Sequence, residues 1–321
     1  MKPLDAADPR QNVPVAVAPL RATAATGRRR GTGFALMLAS SVSNQAGAAL
    51  GSMAFPVIGP VGVVAVRQLV TALVLAPIVR PRLRALRKDQ WLPILGLALV
   101  FSVMNLSLYA AIDRIGLGLA VTLEFLGPLG VAIAFSRRPF DVAYALLAGV
   151  GVIVLINPGP ATDILGITLG LVAAAGWASY ILLNRTLGQR LPGLQGTAAA
   201  SIVTAGMWVP IAIFWFLAHV PSAGALGLAA ACGLLSSVVP AIADLQALRR
   251  VPARIFGIFT SLSPVWAVLA GWVMLHQALQ ANEWLGVGLI VLSNIFVSVR
   301  GLAISRTRTV SDTRDPDDGA W

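Results

Sequence analysis

The chain has 321 residues, of which 57% are hydrophobic and only 12% are charged, and its mean hydropathy is +0.81. A soluble domain carries about 25% charged residues, so this composition excludes an ordinary soluble fold. The formal net charge of +11 does not indicate nucleic-acid binding, because the basic residues lie between apolar stretches and in the tails. Apolar stretches of about 20 residues recur along the chain. We therefore predict an all-α polytopic membrane protein embedded in a lipid bilayer, with no nucleic-acid partner.

The two ends of the chain differ from the rest. Residues 1–32 contain four prolines and the run Arg28-Arg29-Arg30, and they lack the apolar core of a signal peptide. Residues 303–321 are polar as well. We predict that 1–32 is a disordered cytoplasmic N-tail and that 303–321 is a cytoplasmic C-tail.

Between the tails, hydropathy and helix breakers predict ten transmembrane helices. Their approximate bounds are 33–55, 61–79, 91–112, 115–135, 141–157, 164–184, 197–217, 222–248, 253–275 and 284–302. The intervening segments are too short to hold a soluble domain.

The basic residues predict the orientation of these helices, since lysine and arginine concentrate in cytoplasmic loops. If the N-terminus is cytoplasmic, 22 of the 24 lysines and arginines lie in the cytoplasmic tails and loops. Arg114 is then the one external arginine, and Arg67 lies within the second helix. Both termini are therefore predicted to be cytoplasmic.

The sequence also contains a weak internal repeat. The segments GVGVIVLI (149–156) and GVGLIVLS (286–293) match at six of eight positions, 137 residues apart. At an offset of 136, Leu126 matches Leu262 and Pro128 matches Pro264. Because each copy holds five helices, an odd number, the second copy is inserted in the opposite direction. Two inverted five-helix repeats are an architecture of transporters, whose substrate site lies near the membrane midplane.

Three charged residues, Arg67, Glu124 and Asp244, lie clearly within predicted helices. Each costs at least about 2.5–3.5 kcal/mol to insert at the bilayer centre, so a functional role is the first hypothesis. Arg67 and Glu124 lie at similar predicted depths, and they form either a substrate or proton site or a purely structural ion pair. Asp244 is either a second functional carboxylate or an interfacial residue beside Arg249 and Arg250.

Two prolines predict breaks in the helices near these charges. Pro128 cannot bond the carbonyl of Glu124, and Pro264 cannot bond the carbonyl of Thr260, which matches Glu124 in the repeat. Each break leaves a free backbone acceptor inside the membrane. We therefore predict a cavity between the two halves that includes Glu124 and Thr260.

Other polar and aromatic residues are candidates for the same cavity. Asn44 and Asn105 either contact substrate or hydrogen-bond between helices. Trp177 and Tyr180 are placed to line a cavity. For Tyr109 we expect a position in the aromatic belt at the external interface.

An enzymatic function is not indicated. The apolar segments contain no paired aspartates, no Ser/His pair and no metal-ligand cluster, and no glycine-rich phosphate loop with its lysine is present. We therefore expect no cofactor and no metal, with transport driven by a gradient or by a separate partner. The single cysteine, Cys232, excludes an internal disulfide and is expected to be a small buried residue.

Two stretches resemble a known family. GLAVTLEFLGPLGVAIAFSRRPFD (118–141) and VVAVRQLVTALVL (63–75) are similar to the threonine/homoserine exporters of the drug/metabolite transporter superfamily, which has tandem EamA-type domains. The resemblance covers about residues 33–302. The positions that match are Arg67, Glu124, Pro128, Arg137, Arg138 and Asp141, and Asp244 stands where the exporters have Glu.

The second half departs from this family pattern. Ser263 replaces a Glu that commonly precedes the proline of the ninth helix, and His276-Gln277 replaces a Gly-Glu pair after that helix. The substrate is therefore not determined by the resemblance.

The resemblance implies two EamA-like repeats, 33–157 and 158–302, in the inner membrane of a bacterium. It implies an efflux carrier for small amino acids or related metabolites, working by alternating access and exchanging its small-molecule substrate for protons. A multidrug or other metabolite exporter is the main alternative, and a non-transporting membrane scaffold is a weaker one. The sequence leaves open whether the unit is a monomer or a homodimer.

Overall fold

The structure is a computed structural model that describes residues 21–81, 83, 86–134, 139–156, 163–188, 191 and 195–312. Across these residues the regular secondary structure is helical, with no strand. The helices are α1 (Arg21–Ser52), α2 (Phe55–Val79), α3 (Lys88–Ile115), α4 (Leu117–Glu124), α5 (Leu126–Ala134), α6 (Pro139–Ile156), α7 (Ile164–Gly188), α8 (Gln195–Ala218), α9 (Ala223–Gly233), a π-helical turn (Leu234–Val238), α10 (Val239–Leu248), α11 (Ala253–Thr260), α12 (Ser263–Leu275) and α13 (Ala281–Asp312).

Each predicted apolar segment coincides with one helix or with consecutive helices. Among the residues that the structure describes, six helical units are long and apolar enough to cross a membrane: Phe55–Val79, Lys88–Ile115, Leu117–Ala134, Ile164–Gly188, Gln195–Ala218 and Ala223–Leu248. Shorter apolar helices span Leu146–Leu155, Ser263–Leu275 and Ala281–Phe296. The chain is therefore an all-helical, multi-pass membrane protein.

The predicted tails need a correction where the structure describes them. Residues 21–32, predicted to be disordered, form the first turns of α1, and α13 continues to Asp312 within the predicted C-tail. Once a helix has formed, each added residue gains one hydrogen bond, whereas the first turn fixes three residues for a single bond. Arginine, which occurs at both ends, also favours helix.

Consecutive helical units run in alternating directions, so the bundle has two ends. We call the end where α1 begins and α2 ends the near end, and the opposite end the far end. At the far end, Arg114 pairs with Asp163, with 3.0 Å between Nε and Oδ2. At the near end, Met37 packs in a buried cluster with Ala247 and Val251.

The largest packing interfaces join helices from the two halves of the chain. α3 packs on α7, and α1 packs on α9 and α10; α2 packs on α8, and α6 packs on α13. The outward surface is apolar, as lipid contact requires: Leu73, Leu92, Phe214 and Leu217 are 72–76% exposed.

Two membrane helices are broken at positions that match in the repeat. α4 ends at Glu124 and α5 begins at Leu126, while α11 ends at Thr260 and α12 begins at Ser263. The first break is packed closely against α7, because a Cβ at Gly127 would overlap the carbonyl oxygen of Ala174. These breaks occur where the two prolines predict them.

The two broken helices are packed together at the far end only. α4 contacts α12 extensively there, whereas α5 and α11, among the described helices, have no comparable packing at the near end. The two broken helices therefore meet at the far end, where α4 and α12 are in contact.

Candidate functional site

A cavity of about 260 Å³ lies inside the bundle, between helices of both halves. Tyr109, which is fully buried, lies at its far side. Leu75, Thr197 and Asp244 also line it, and each is within about one turn of the near end of its helix. The cavity therefore reaches from the middle of the bundle to the near end.

Seven of the predicted site residues line this one cavity: Arg67, Glu124, Asn44, Asn105, Trp177, Tyr180 and Asp244. Thr260 does not line it. Its hydroxyl donates to the carbonyl of Phe256 within α11, at 2.8 Å, so the structure does not bring Thr260 to the site. Pro128 and Pro264 lie in the first turns of α5 and α12 and are likewise outside the cavity wall.

Glu124 is the last residue of α4 and is only 6% exposed. Within the part of the chain that the structure describes, its carboxylate has no hydrogen-bond donor and no ion pair. A buried carboxylate without partners is costly in a membrane. Because Glu124 lines the cavity, its carboxylate is placed to bind a cation that enters there.

Arg67, on α2, is held by polar groups of the π-helical turn. Its Nε donates to the hydroxyl of Ser237 at 2.9 Å, and its Nη2 donates to the carbonyl of Ser236 at 3.2 Å. Its guanidinium carbon lies 5.1 Å from the centre of the Tyr109 ring, within the range of a cation–π contact. Arginine has five N–H donors, so donors remain for a ligand.

Arg67 and Glu124 face the same cavity but do not form an ion pair within 4 Å, among the pairs that the described residues make. The structural-pair hypothesis therefore lacks the direct contact that it requires. The cavity presents a carboxylate and a guanidinium side by side, each with capacity to bind a partner.

Sequence reasoning missed several residues of this site. Tyr109, expected in the external aromatic belt, is fully buried, and its hydroxyl lies 2.9 Å from the Sγ of Cys232. Ser236 and Ser237 were not singled out, although a signal existed: Pro240, four residues after Ser236, cannot bond its carbonyl. That carbonyl is the one that accepts from Arg67.

The aromatic residues and Asn105 shape the cavity wall. Trp177 contacts Phe125 edge-on, with ring centres 4.5 Å apart, and Tyr180 lies 5.4 Å from Phe101. Asn105 donates to the carbonyl of Phe101 at 2.7 Å within α3. Among the described residues, Asn105 therefore bonds within its own helix rather than across helices.

Asp244 lies on α10 near the mouth of the cavity. It forms no ion pair with Arg249 or Arg250 among the described residues, and Arg250 instead donates to the side chain and carbonyl of Gln246. Its position therefore favours the second-carboxylate hypothesis over a charge that is neutralised by the neighbouring arginines.

Comparison with known proteins identifies the family. A family model of the EamA-like transporter family matches residues 164–299. The chain is also 34% identical over 269 residues to the threonine/homoserine exporter RhtA of Escherichia coli strain K12, covering 81% of this chain and 89% of that protein. The chain belongs to the EamA-like transporter family. The predicted resemblance is confirmed, and this EamA-like protein is a transporter and not an enzyme.

Other relatives agree with this assignment. RhtA of Salmonella typhimurium strain LT2 is also 34% identical over 269 residues, again with 81% of this chain and 89% of that protein covered. The uncharacterized transporter YwfM of Bacillus subtilis strain 168 is 23% identical over 163 residues, which is 50% of this chain and 55% of YwfM. A solved crystal structure with 19% identity has a TM-score of 0.58, covering 86% of this EamA-like chain and 98% of that chain. That structure shares the fold.

Proposed function

We propose that this EamA-family protein exports small amino acids of the threonine and homoserine type across the inner membrane of a bacterium, in exchange for protons. Two inverted five-helix halves, 33–157 and 158–302, alternately open the cavity to either side. The proposal extends to this chain the substrates named for RhtA.

The observation that carries the proposal is the pair of opposite charges in one cavity. An amino acid at neutral pH carries an ammonium and a carboxylate. The unpartnered Glu124 carboxylate suits the ammonium, and the guanidinium of Arg67 suits the carboxylate. In exchange for substrate, Glu124 or Asp244 carries a proton, since both line the cavity.

The size of the cavity favours a small substrate over a drug. Sites for drug-sized ligands have volumes of about 300–1,000 Å³, whereas this cavity measures about 260 Å³. The multidrug alternative is therefore less well supported. The scaffold alternative is disfavoured by membership in a transporter family.

Helix packing supports the proposed inverted repeat. Exchanging α1–α6 for α7–α13 converts the α3–α7 interface into the interface of α1 with α9 and α10. It likewise converts the α2–α9 interface into the α3–α8 interface. A pattern unchanged by this exchange is what a pseudo-twofold axis in the membrane plane produces.

The distribution of basic residues supports the proposed orientation. The near end carries the loops that hold most of the lysines and arginines, so we assign it to the cytoplasm. The cavity reaches this end, whereas α4 and α12 are in contact at the far end. An exporter that loads its substrate from the cytoplasm requires such a state.

The test is transport by the purified protein in proteoliposomes. Labelled threonine should exchange with unlabelled threonine across the membrane, homoserine should compete, and a pH gradient should drive net accumulation. Glu124→Gln should strongly weaken the exchange, whereas Glu283→Gln, at a half-buried glutamate outside the cavity, should not. Transport of a lipophilic cation without threonine exchange would favour the multidrug alternative.

A further inference from the structure

The π-helical turn Leu234–Val238 interrupts the helix that passes the cavity. The N–H of Val239 bonds the carbonyl of Leu234, five residues back, and Pro240 has no N–H with which to bond the carbonyl of Ser236. The extra residue of a π turn displaces backbone groups from their usual helical partners, and such turns occur frequently at functional sites. Here the Ser236 carbonyl, which lacks its usual helical partner, accepts a hydrogen bond from Arg67.

The way in which Arg67 meets this turn is specific. Nε and Nη2 form one of the two edges of the guanidinium that can bind both oxygens of a carboxylate in a bidentate pair. In this structure the Ser237 hydroxyl oxygen and the Ser236 carbonyl oxygen occupy that edge, at 2.9 and 3.2 Å. The turn therefore offers two neutral oxygens in the place of a carboxylate.

The turn is also bonded to α1. The hydroxyl of Ser236 donates to the carbonyl of Asn44 at 2.7 Å, and the hydroxyl of Ser43 donates to the carbonyl of Leu235 at 2.8 Å. Gly47 permits this approach, because a Cβ there would lie 2.5 Å from the Ser236 hydroxyl oxygen. Arg67 thus ties α2 to a unit made of α1 and the π turn.

Arg67 packs directly against buried residues at the far side of the cavity. The guanidinium packs over the Tyr109 ring, whose hydroxyl contacts the Sγ of Cys232, and both residues are fully buried. Phe55 contacts the same ring edge-on, with ring centres 6.0 Å apart. A change in the position of Arg67 therefore acts on these buried contacts at the far side of the cavity.

We propose that the π turn is an internal stand-in for the substrate carboxylate, and that substrate displaces it from Arg67 to open the far end. This inference rests on the proposed amino-acid export. A charged carboxylate forms a stronger hydrogen bond with a guanidinium than a neutral carbonyl or hydroxyl does, so the exchange favours the bound substrate. Once released from Arg67, the turn and α1 are free to move away from α2, and Tyr109 and Cys232 lose their cover.

Cys232, the single cysteine of the chain, reports this change without any engineered label. The full-length protein is reconstituted in liposomes and treated with N-ethylmaleimide, and the intact mass gives the fraction of Cys232 that has reacted. Threonine at saturating concentration should increase the reaction rate on the order of tenfold. Cys232→Ser should show no labelling, which assigns the signal.

Ser237→Ala tests the contact between Arg67 and the π turn, which we call the latch. It removes the acceptor of Nε and should increase the labelling rate without substrate on the order of tenfold, the equivalent of one hydrogen bond to a charged group. It should also lower the threonine concentration required for half-maximal labelling. Ser179→Ala is the matched control and should behave as the wild type, because the Ser179 hydroxyl bonds the carbonyl of Ala175 in its own helix.

Pro240→Ala is a second, independent variant, because its new N–H would bond the Ser236 carbonyl and withdraw it from Arg67. It should shift Cys232 labelling in the same direction as Ser237→Ala. Wild-type rates in both variants would overturn the latch, as would threonine exchange that leaves Cys232 labelling unchanged. Absence of threonine exchange in the wild type would instead overturn the proposed function, since the variants test the latch without substrate.

Discussion

The side-chain oxygen of Gln277 accepts a hydrogen bond from the backbone N–H of Leu117, 3.0 Å away. Leu117 is the first residue of α4, and the first N–H groups of a helix have no partner within it. The contact therefore caps α4, the helix that ends at Glu124, with a residue from the segment after α12. It links the two halves of the chain at the far end.

Removing this cap should destabilise the protein moderately. We expect Gln277→Ala to lower the free energy of unfolding by about 1 kcal/mol, the typical contribution of one hydrogen bond, and to lower the melting temperature in detergent. Gln280→Ala, an exposed glutamine of the same segment, serves as the control. An unchanged melting temperature for Gln277→Ala would show that water replaces the cap at no cost.

His276 should be a site of easy stabilisation. It ends α12 in the left-handed conformation, with φ of 55°, and the next N–H bonds back to the carbonyl of Gly271. This termination normally uses glycine, and a non-glycine residue there costs about 1–2 kcal/mol. His276→Gly should therefore raise the free energy of unfolding by about 1 kcal/mol, because the greater freedom of glycine in the unfolded chain offsets part of the gain. His219→Gly, where φ is not positive, should not stabilise the protein.

Asp163 should make the stability of the far end depend on pH. The N–H of Gly166 and the side chain of Arg114 both bond its carboxylate, and they hold its pKa below the ordinary value of aspartate. Because the pKa is lower in the folded state, the stabilisation is present above the unfolded pKa of about 3.9 and is lost as the pH falls through the folded value.

Asp163→Asn, which keeps most of the helix-capping ability, should therefore melt below the wild type at pH 7, and the difference should shrink below about pH 4. Melting curves in detergent between pH 3 and 8 measure this. A difference that stays constant with pH would show that the charge of Asp163 contributes nothing.

Much of the helical framework could be predicted from sequence. Apolar segments coincide with helices because hydrophobic length and proline breaks are local properties. The position of the helix break after Glu124 follows from Pro128 alone. Glu124, Arg67 and Asp244 could be selected for the site because a charge inside a membrane helix is costly without a function.

The partners of these charges could not be predicted. The contact of Arg67 with Ser236 and Ser237 depends on the approach of α1 and α2 to the π turn, and no local pattern fixes that approach. The burial of Tyr109 depends on which face of α3 packs inward. Thr260 matches Glu124 in the sequence repeat. However, α4 packs closely on α7, whereas α11 packs only slightly on α1 among the described helices, so the two residues have different surroundings.

A substitution of Asp244 should separate proton-driven accumulation from substrate exchange. Along α10 it lies seven residues beyond Ser237, about 10 Å at 1.5 Å per residue, so it is displaced toward the near end from the contact with Arg67. If Asp244 carries the exported substrate's counter-proton, Asp244→Asn should keep threonine–threonine exchange in proteoliposomes and lose accumulation driven by a pH gradient.

Asp244→Glu, which restores the acid, should recover the driven accumulation. Loss of exchange as well would place Asp244 in the substrate site. Unchanged driven accumulation in Asp244→Asn would leave Glu124 as the carboxylate that carries the proton.

The last prediction concerns Glu124 and Arg67 together. A structural ion pair predicts that either single neutralisation costs about 3–5 kcal/mol, since the remaining charge is left buried without a partner. It also predicts that the double variant recovers both yield and export. The structure places the two side chains in one cavity without an ion pair, and Arg67 keeps Ser236, Ser237 and Tyr109 as partners.

Glu124→Gln should therefore fold in normal yield and keep a wild-type melting temperature. Threonine affinity should fall about 10- to 100-fold, as expected for one lost charge-assisted contact. Adding Arg67→Gln should weaken binding further, because each charge contacts a different end of the substrate. Recovery of exchange in the double variant, measured beside the conservative Glu124→Asp variant, would contradict the site and restore the structural pair.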